Sequence, residues 1–326
     1  MRILMMGTGP FAVPTFRALL ASEHQVLGLV TRPVPPPSSR NRGPSPPNPM
    51  REVAEAANLR VEAPDSINEP DVHRWLTDWQ ADLHVVCDYG QILSTAALQT
   101  ARWGGINLHA SLLPRYRGAA PINWAIYRGE TETGVSVIHM TPRLDAGPCL
   151  VQRTTPIGAE EDAVELEHRL SEIGVDAVLE AIQLLEAHGG SVSMGIVQDE
   201  QLRTSARRLR KQDAQVDWSR SAEQLHRQVR AFKPWPGSFT EWQRAKGPLR
   251  LLLDQVRIAA DVDRPATAPP GEVLSADATG IVVVCGVGAL RIERLQPAGK
   301  NVLTAEQFLR GYPLQAGERL GTNMEC

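Results

Sequence analysis

Cysteine is scarce and poorly placed for cross-linking. Cys87, Cys149, Cys285 and Cys326 are the only four in 326 residues, and none stands in a C-x-x-C pair. A disulfide scaffold and a cysteine-rich zinc module are therefore excluded. The eight histidines form no H-E-x-x-H, and His84 and Cys87, three apart on one strand, face opposite sides, so no metal site is expected. Long apolar runs are missing as well. The longest, over residues 280–290, is far short of the ~20 residues a membrane helix needs, and no membrane association is expected. Residues 1–7 lack the length and cleavage site of a secretory signal, which makes a reducing cytoplasm the expected compartment. Nor does one charge dominate. Lys plus Arg number 34 against 37 acids, a net charge of -3, which does not suggest a polyanion binder.

What is present is an ordinary globular composition, 42% apolar and 22% charged, in a chain long enough for roughly two domains. Buried-strand runs at 3–6, 25–31, 82–87, 104–109 and 135–140 alternate with helical spacing at 11–21, 50–58, 71–80, 121–127 and 162–188. Gly189 and Gly190 stop the last helix. This alternation predicts an α/β fold with a mainly parallel sheet covered on both faces. From residue 249 the pattern changes to short apolar strands at 249–253, 282–285 and 289–295, separated by Pro and Gly turns, as in a small β-barrel or sandwich. We expect one domain over 1–190, a linker over 191–206 and a second domain over 207–326.

Two local biases interrupt this plan. Residues 32–51 hold eight prolines, four arginines and no acid, so they form an irregular insertion, functional or disordered. Residues 201–260 hold thirteen basic and five acidic side chains, +8 against -11 for the rest of the chain. Such a run is a phosphate-attracting surface or a solvated helix face.

Two motifs carry candidate chemistry. Gly7-x-Gly9-x-x-Ala12 follows a strand and opens a helix, as the dinucleotide fingerprint does. The acid that the fingerprint expects after the second strand is replaced by Thr31-Arg32-Pro33, which would suit a 2′-phosphate if any dinucleotide, and a plain tight turn is the commoner origin of such a pattern. The second motif lies in residues 106–122. Asn107 and His109 are two apart on a strand, so they share a face, and they stand at its carboxyl end, where open α/β sheets bind ligands. An amide can donate to an oxygen turning negative, and an imidazole can move a proton near neutral pH. Asp145 follows the 135–140 strand and could orient that imidazole. On pattern alone, three polar residues capping loops are the commoner explanation, because a short strand-end motif has many chance matches.

The Asn107-x-His109-x-Ser111-Leu112-Leu113-Pro114-x-Tyr116-Arg117-Gly118-x-x-Pro121 stretch resembles the signature of the 10-formyltetrahydrofolate-dependent formyltransferases. Further segments are similar in the same order: 7–12, 88–93, 132–135, 144–147, 217–219, 230–237 and 296–300. The resemblance covers nearly the whole chain. It implies a Rossmann-like first domain, a second domain like an OB-fold barrel, no metal, and transfer of a formyl group from 10-formyltetrahydrofolate to an amine. Asn107, His109 and Asp145 fall on the family's catalytic trio, and the glycine turn becomes a family turn. The folate co-substrate would lie along Tyr89, Gly90, Gln91, Ile92 and Leu93, and beside Ser111, Leu112, Leu113 and Pro114.

Pro234-Trp235-Pro236-Gly237 and Pro297-Ala298-Gly299-Lys300 are similar to the branch whose acceptor is the methionine on initiator tRNA. That branch implies tRNA contacts from Arg40 and Arg42 in the insertion, from Arg207, Arg208 and Lys211 in the basic stretch, and from Lys300, in an enzyme acting as a monomer. Two departures stand out. Gly43-Pro44-Ser45 replaces the usual lysines of the insertion, and Asp88 stands where a small residue is common. The alternatives are the same folate chemistry on an amino-sugar nucleotide, a non-catalytic RNA-binding protein on this scaffold, and a nicotinamide oxidoreductase.

Overall fold

The structure, a computed structural model, describes residues 1–34, 48–190, 194–244, 246–260, 262 and 267–321. These form two compact units. The first comprises Met1–Pro121, Glu132–Pro156 and Glu165–Arg207; the second comprises Ile122–Thr131, Ile157–Val164 and Arg208 onward.

In the first unit the expected alternation is realised. Its strands are β1 (Arg2–Gly7), β2 (Gln25–Val30), β3 (Arg60–Glu62), β4 (Leu83–Cys87), β5 (Gly105–His109), β6 (Arg117–Gly118), β7 (Glu132–His139), β8 (Cys149–Pro156) and β9 (Ser205–Ala206). The helices are α1 (Val13–Ala21), α2 (Pro49–Ala56), α3 (Pro70–Asp78), α4 (Thr95–Leu98), α5 (Pro121–Arg128), most of which belongs to the second unit, and α6 (Ala163–Ala187). Seven strands make one Rossmann-like sheet in the order β3-β2-β1-β4-β5-β7-β8. The pairings from β3 through β5 are parallel, whereas β5–β7 and β7–β8 are antiparallel. Ile3, Leu4, Met5 and Met6 are fully buried, as a central parallel strand with both faces covered must be. The sequence pattern missed β8, because CLVQRTTP puts Gln152 and Arg153 in an edge strand that buries only alternate residues.

Close packing explains one break in helix propensity. Gly174 lies in the middle of α6, and a Cβ there would come within 2.5 Å of the Leu108 side chain of β5. The glycine lets the long helix press onto the strand that carries His109.

The second unit has an antiparallel sheet in the order β10 (Ser238–Trp242), β11 (Leu249–Ile258), β14 (Ala289–Pro297), β13 (Gly280–Val284), β12 (Val273–Asp277), with β15 (Leu303–Thr304) on β14. Two helices, α7 (Ala222–Ala231) and α8 (Ala305–Gly311), contribute Leu225, Val229 and Phe308 to a core shared with Leu251, Leu253, Ile281, Val283 and Ile292. Residues 319–320 bridge the two outer strands' ends: Leu320 pairs with Trp242, and Arg319 pairs with Glu272 beside β12. Joining the edges satisfies backbone groups that would otherwise stay open, and it closes the sheet into a small barrel.

Candidate active site

Asn107 and His109 lie on β5, whose His109 is in register with Ser136 of β7. The side chain of His109 is buried at 7% exposure, and its Nε2 lies 3.0 Å from the carbonyl oxygen of Tyr116. A carbonyl only accepts, so this hydrogen bond needs the proton on Nε2, and Nδ1 is the atom that gains or releases one. Nδ1 faces Asp145 Oδ2 at 3.8 Å. The same carboxylate oxygen accepts the backbone N–H of Gly118 at 2.8 Å. Asn107 is half-buried, and its side-chain amide has no hydrogen-bond partner among the described residues.

The approach of Asp145 to His109 is not what the strand order alone would give. The last residue of β7, His139, pairs with Ile106, three residues before His109. The β7–β8 connection must therefore double back along β5 to bring Asp145 alongside the imidazole. The fold holds it there in an unusual backbone state. Asp145 has φ 51° and Tyr116 has φ 62°, both left-handed, and Gly118 has φ 127°. Non-glycine residues adopt positive φ rarely, and such residues gather at functional sites.

The 111–114 segment is fixed by two polar side chains that the sequence did not reveal, buried Ser136 and solvent-facing Gln152. Ser136 Oγ accepts from Leu113 N at 3.0 Å and donates to Ser111 O at 2.6 Å. Gln152 Nε2 donates to Leu113 O at 2.9 Å and to Ser136 Oγ at 2.8 Å. Ser111 is fully buried, its hydroxyl closing a turn onto Arg115 O at 2.7 Å, and Leu113 is 5% exposed. Leu112 packs against Gly134, where a Cβ would meet its Cδ2 at 2.6 Å. Pro114 remains half-buried.

The 88–93 segment is tethered in a similar way. Gln91 Oε1 accepts from Ile67 N at 2.8 Å, and its Nε2 donates to Pro64 O at 3.2 Å, so the amide anchors the loop. Leu93 is in the core at 1% exposure, whereas Ile92 is 58% exposed. Tyr89 is buried, burial pushes its phenol up, and its hydroxyl lacks a hydrogen-bond partner among the described residues. Gly90 has φ 80°, and Arg32 lies over it.

Asp88 explains the glycine turn. A Cβ on Gly9 would fall 1.7 Å from Asp88 Oδ2, so the carboxylate occupies the space that the dinucleotide fingerprint leaves for a pyrophosphate. A like charge in that space argues against the nicotinamide alternative. The side chain keeps contact with solvent, yet protein packs closely around its carboxyl group. This burial pushes its carboxyl up to about 6, with Arg32 pulling the other way.

Of the expected tRNA contacts, Arg207 is exposed in the first unit, and Arg208, Lys211 and Lys300 are exposed in the second. Arg40 and Arg42 lie outside the described residues. Three further cations of the 201–260 stretch, Arg227, Arg230 and Lys233, are used inside the second unit. Arg230 donates to Glu161 O at 2.8 Å, Lys233 pairs with Asp162 at 3.2 Å, and Arg227 pairs with Glu223. His226, on the same helix, meets Glu160 at 3.3 Å. Among the described residues no group of His, Cys, Asp and Glu could hold a metal ion, and no helix is long and apolar enough to cross a membrane.

Comparison with known proteins fits this arrangement. The profile described as "Formyl transferase" matches residues 1–182, and "Formyl transferase, C-terminal domain" matches 208–313. The chain belongs to the formyl transferase family. It is similar to the methionyl-tRNA formyltransferase of Rhodopirellula baltica, 49% identical with 98% of this chain and 96% of that protein covered. The methionyl-tRNA formyltransferase of Methylococcus capsulatus is 41% identical, with 99% and 100% covered. Among solved structures, HypX from Aquifex aeolicus in complex with tetrahydrofolic acid has a TM-score of 0.63 at 18% identity, over 95% of this chain. The chain spans about half of HypX, 47% of its length. WlaRD, a sugar 3N-formyl transferase crystallised with dTDP and 5-N-formyl-THF, has a TM-score of 0.63 at 14% identity, over 92% of this chain and 99% of that one. At these identities the two structures speak for the fold.

Proposed function

We propose that the chain transfers the formyl group of 10-formyltetrahydrofolate to the α-amino group of methionine on initiator tRNA, supplying formylmethionyl-tRNA for translation initiation. The near full-length identity to methionyl-tRNA formyltransferases supports this acceptor. The observation that carries the chemistry is the proximity of His109 Nδ1 to Asp145, with the amide of Asn107, unpartnered among the described residues, two residues away on the same face.

The reaction is acyl transfer between two nitrogens. A neutral α-amine, whose pKa is near ~8, attacks the formyl carbon. The carbonyl oxygen gains charge, and the Asn107 amide donates to it. His109 takes the amine proton on Nδ1 while Nε2–H stays on the Tyr116 carbonyl; the Asp145 carboxylate stabilises the imidazolium. That proton then goes to N10 of the folate as the carbon–nitrogen bond breaks. The 89–93 segment (Tyr89, Gly90, Gln91, Ile92, Leu93) forms the wall for the donor, with Ile92 offering an exposed apolar face, Gln91 holding the loop in place, and Tyr89 and Leu93 buried behind it. Ser111, Leu112, Leu113 and Pro114 form the floor.

We assign donor chemistry chiefly to residues 1–190 and tRNA binding chiefly to 207–326; the two family matches support this division, while 122–131 and 157–164 pack with the second unit and 194–206 pack with the first rather than forming a free linker. The exposed cations Arg207, Arg208, Lys211 and Lys300 take phosphates, together with Arg40 and Arg42 of the insertion. We take the enzyme to act as a monomer, as the family resemblance implies. Cys87, Cys149 and Cys285 are buried and form no disulfide among the described residues, which suits a reducing cytoplasm. The deciding experiment offers labelled 10-formyltetrahydrofolate with either charged initiator tRNA or an amino-sugar nucleotide. Label on the tRNA is expected. Label on the sugar alone would overturn the reading.

A further inference from the structure

Gln198 belongs to no motif of the sequence, and it falls in a stretch that reads as a linker. It is nevertheless 7% exposed and has every hydrogen-bonding position filled. Its amide nitrogen donates to Asp145 O at 2.8 Å and to Gly147 O at 2.7 Å. Its oxygen accepts from Arg117 Nε at 3.0 Å and from Arg117 Nη2 at 2.7 Å. Arg117 is also 7% exposed, and its third contact is Nη1 to Glu200 Oε1 at 3.0 Å. Arg117 itself is set by pairing of β6 with β9, where it is in register with Ser205.

These contacts converge on one short loop. The carboxylate of Asp145 is held by Gly118 N–H, the residue after Arg117; its carbonyl is held by Gln198, which Arg117 braces. Two residues on, the loop is pressed against the end of β7, where a Cβ at Gly147 would stand 1.7 Å from His139 O. This is the connection that doubles back along β5, and it places Asp145 in a left-handed state that a non-glycine residue keeps only when its surroundings impose it. The carboxylate oxygen faces His109 from 3.8 Å, so a small shift of the loop changes what the imidazole feels.

We infer that Gln198, braced by Arg117, is a positioning residue: it fixes the Asp145 loop so that the carboxylate meets His109 during proton transfer. The inference rests on the function proposed above. It differs from simple adhesion of residues 194–204 in acting through one side chain, and coupling between two positions is measurable by a double-mutant cycle.

The test is Gln198→Glu, which keeps the volume and the Arg117 contact but turns an acceptor toward both loop carbonyls. It is measured in the full chain by single-turnover formylation, with KM for donor and acceptor and a thermal melt alongside. A catalytic group misplaced by about 1 Å can cost ~10²-fold. We expect kcat to fall roughly 30- to 100-fold, with both KM values within about twofold. In an Asp145→Asn background the same change should cost no more than about twofold, because the carboxylate it positions is already gone. A kcat within about threefold of wild type, or an undiminished loss in the Asp145→Asn background, overturns the inference. If the Glu variant does not fold, Gln198→Asn, one methylene short, is put through the same cycle with the same thresholds. Wild-type protein in the same assay separates the two readings. Failure to formylate charged initiator tRNA would bring down the proposed function and this inference together, whereas an active wild type with either overturning result brings down this inference alone.

Discussion

Removing the amide of Asn107 should abolish most of the activity and almost none of the stability. The side chain is half-buried and has no hydrogen-bond partner among the described residues, so Asn107→Ala leaves no protein donor or acceptor stranded. The β5 ladder to Val86 and Ile138 uses its backbone and is untouched. A substitution of this kind shifts folding stability by less than about 1 kcal/mol, a change in melting temperature of roughly 3 °C or less at this size. Loss of one donor to a developing oxyanion costs ~3 kcal/mol in the barrier, and at 1.36 kcal/mol per decade that is on the order of a hundredfold in kcat. The assay pairs a thermal melt with single-turnover transfer of labelled formyl to charged initiator tRNA. A kcat within about threefold of wild type would refute the assigned role. So would a melting drop large enough to explain the lost activity.

Other outcomes follow from titrating and charged groups. His84 is fully buried, and burial depresses its pKa from 6.5 to about 4. A depressed folded pKa gives stability that is complete above pH 6.5 and lost as pH falls through about 4. The loss amounts to ~3 kcal/mol, and His84→Gln should flatten denaturant-derived stability across that window; an unchanged slope would remove His84 as its source. Asp88 behaves in the opposite sense, because a carboxyl raised from 3.8 to about 6 destabilises the fold where it is ionised, above that value. Asp88→Asn should stabilise at pH 7.5 by on the order of 1 kcal/mol after allowing for solvent screening, with the gain vanishing below pH 4; equal gains at both values would contradict this. Lys300→Ala should weaken charged-tRNA binding and reduce the log–log salt slope by roughly one, with the donor KM unchanged. A shift in donor KM with no change in salt slope would count against Lys300 as a phosphate contact.

The sequence made the strand that carries Asn107 and His109 legible, because a period of two places them on one face whatever the rest of the fold does. The parallel sheet and the α6 span were legible for a similar reason: continuous apolar runs and long helical spacing are local signals. Pairings across long separations were not. Nothing near residue 198 announces a partner at 117 or 145; Ser136 looks like an ordinary strand residue, and Gln152 falls in no expected element, until β5, β7 and β8 are set in register. The basic spacing of α7 read as a phosphate surface because its counter-charges, Glu160, Glu161 and Asp162, lie some 70 residues upstream. Closure of the barrel by Arg319 and Leu320 likewise depends on a tail with no strand pattern of its own.

The interleaving of the two units limits how this protein can be taken apart. The chain passes between them at 121, 131, 156, 164 and 207, so no single cut separates them. A recombinant fragment ending at residue 190 would carry off Trp124 and Tyr127, whose rings pack on Phe232, and Glu160 and Asp162, whose partners are His226 and Lys233. Split reporters, domain grafts and recombination libraries built on a junction there would inherit a bare aromatic face in one half and orphaned cations in the other. Residues 122–131 and 157–164 would have to travel with the distal half for either product to be whole.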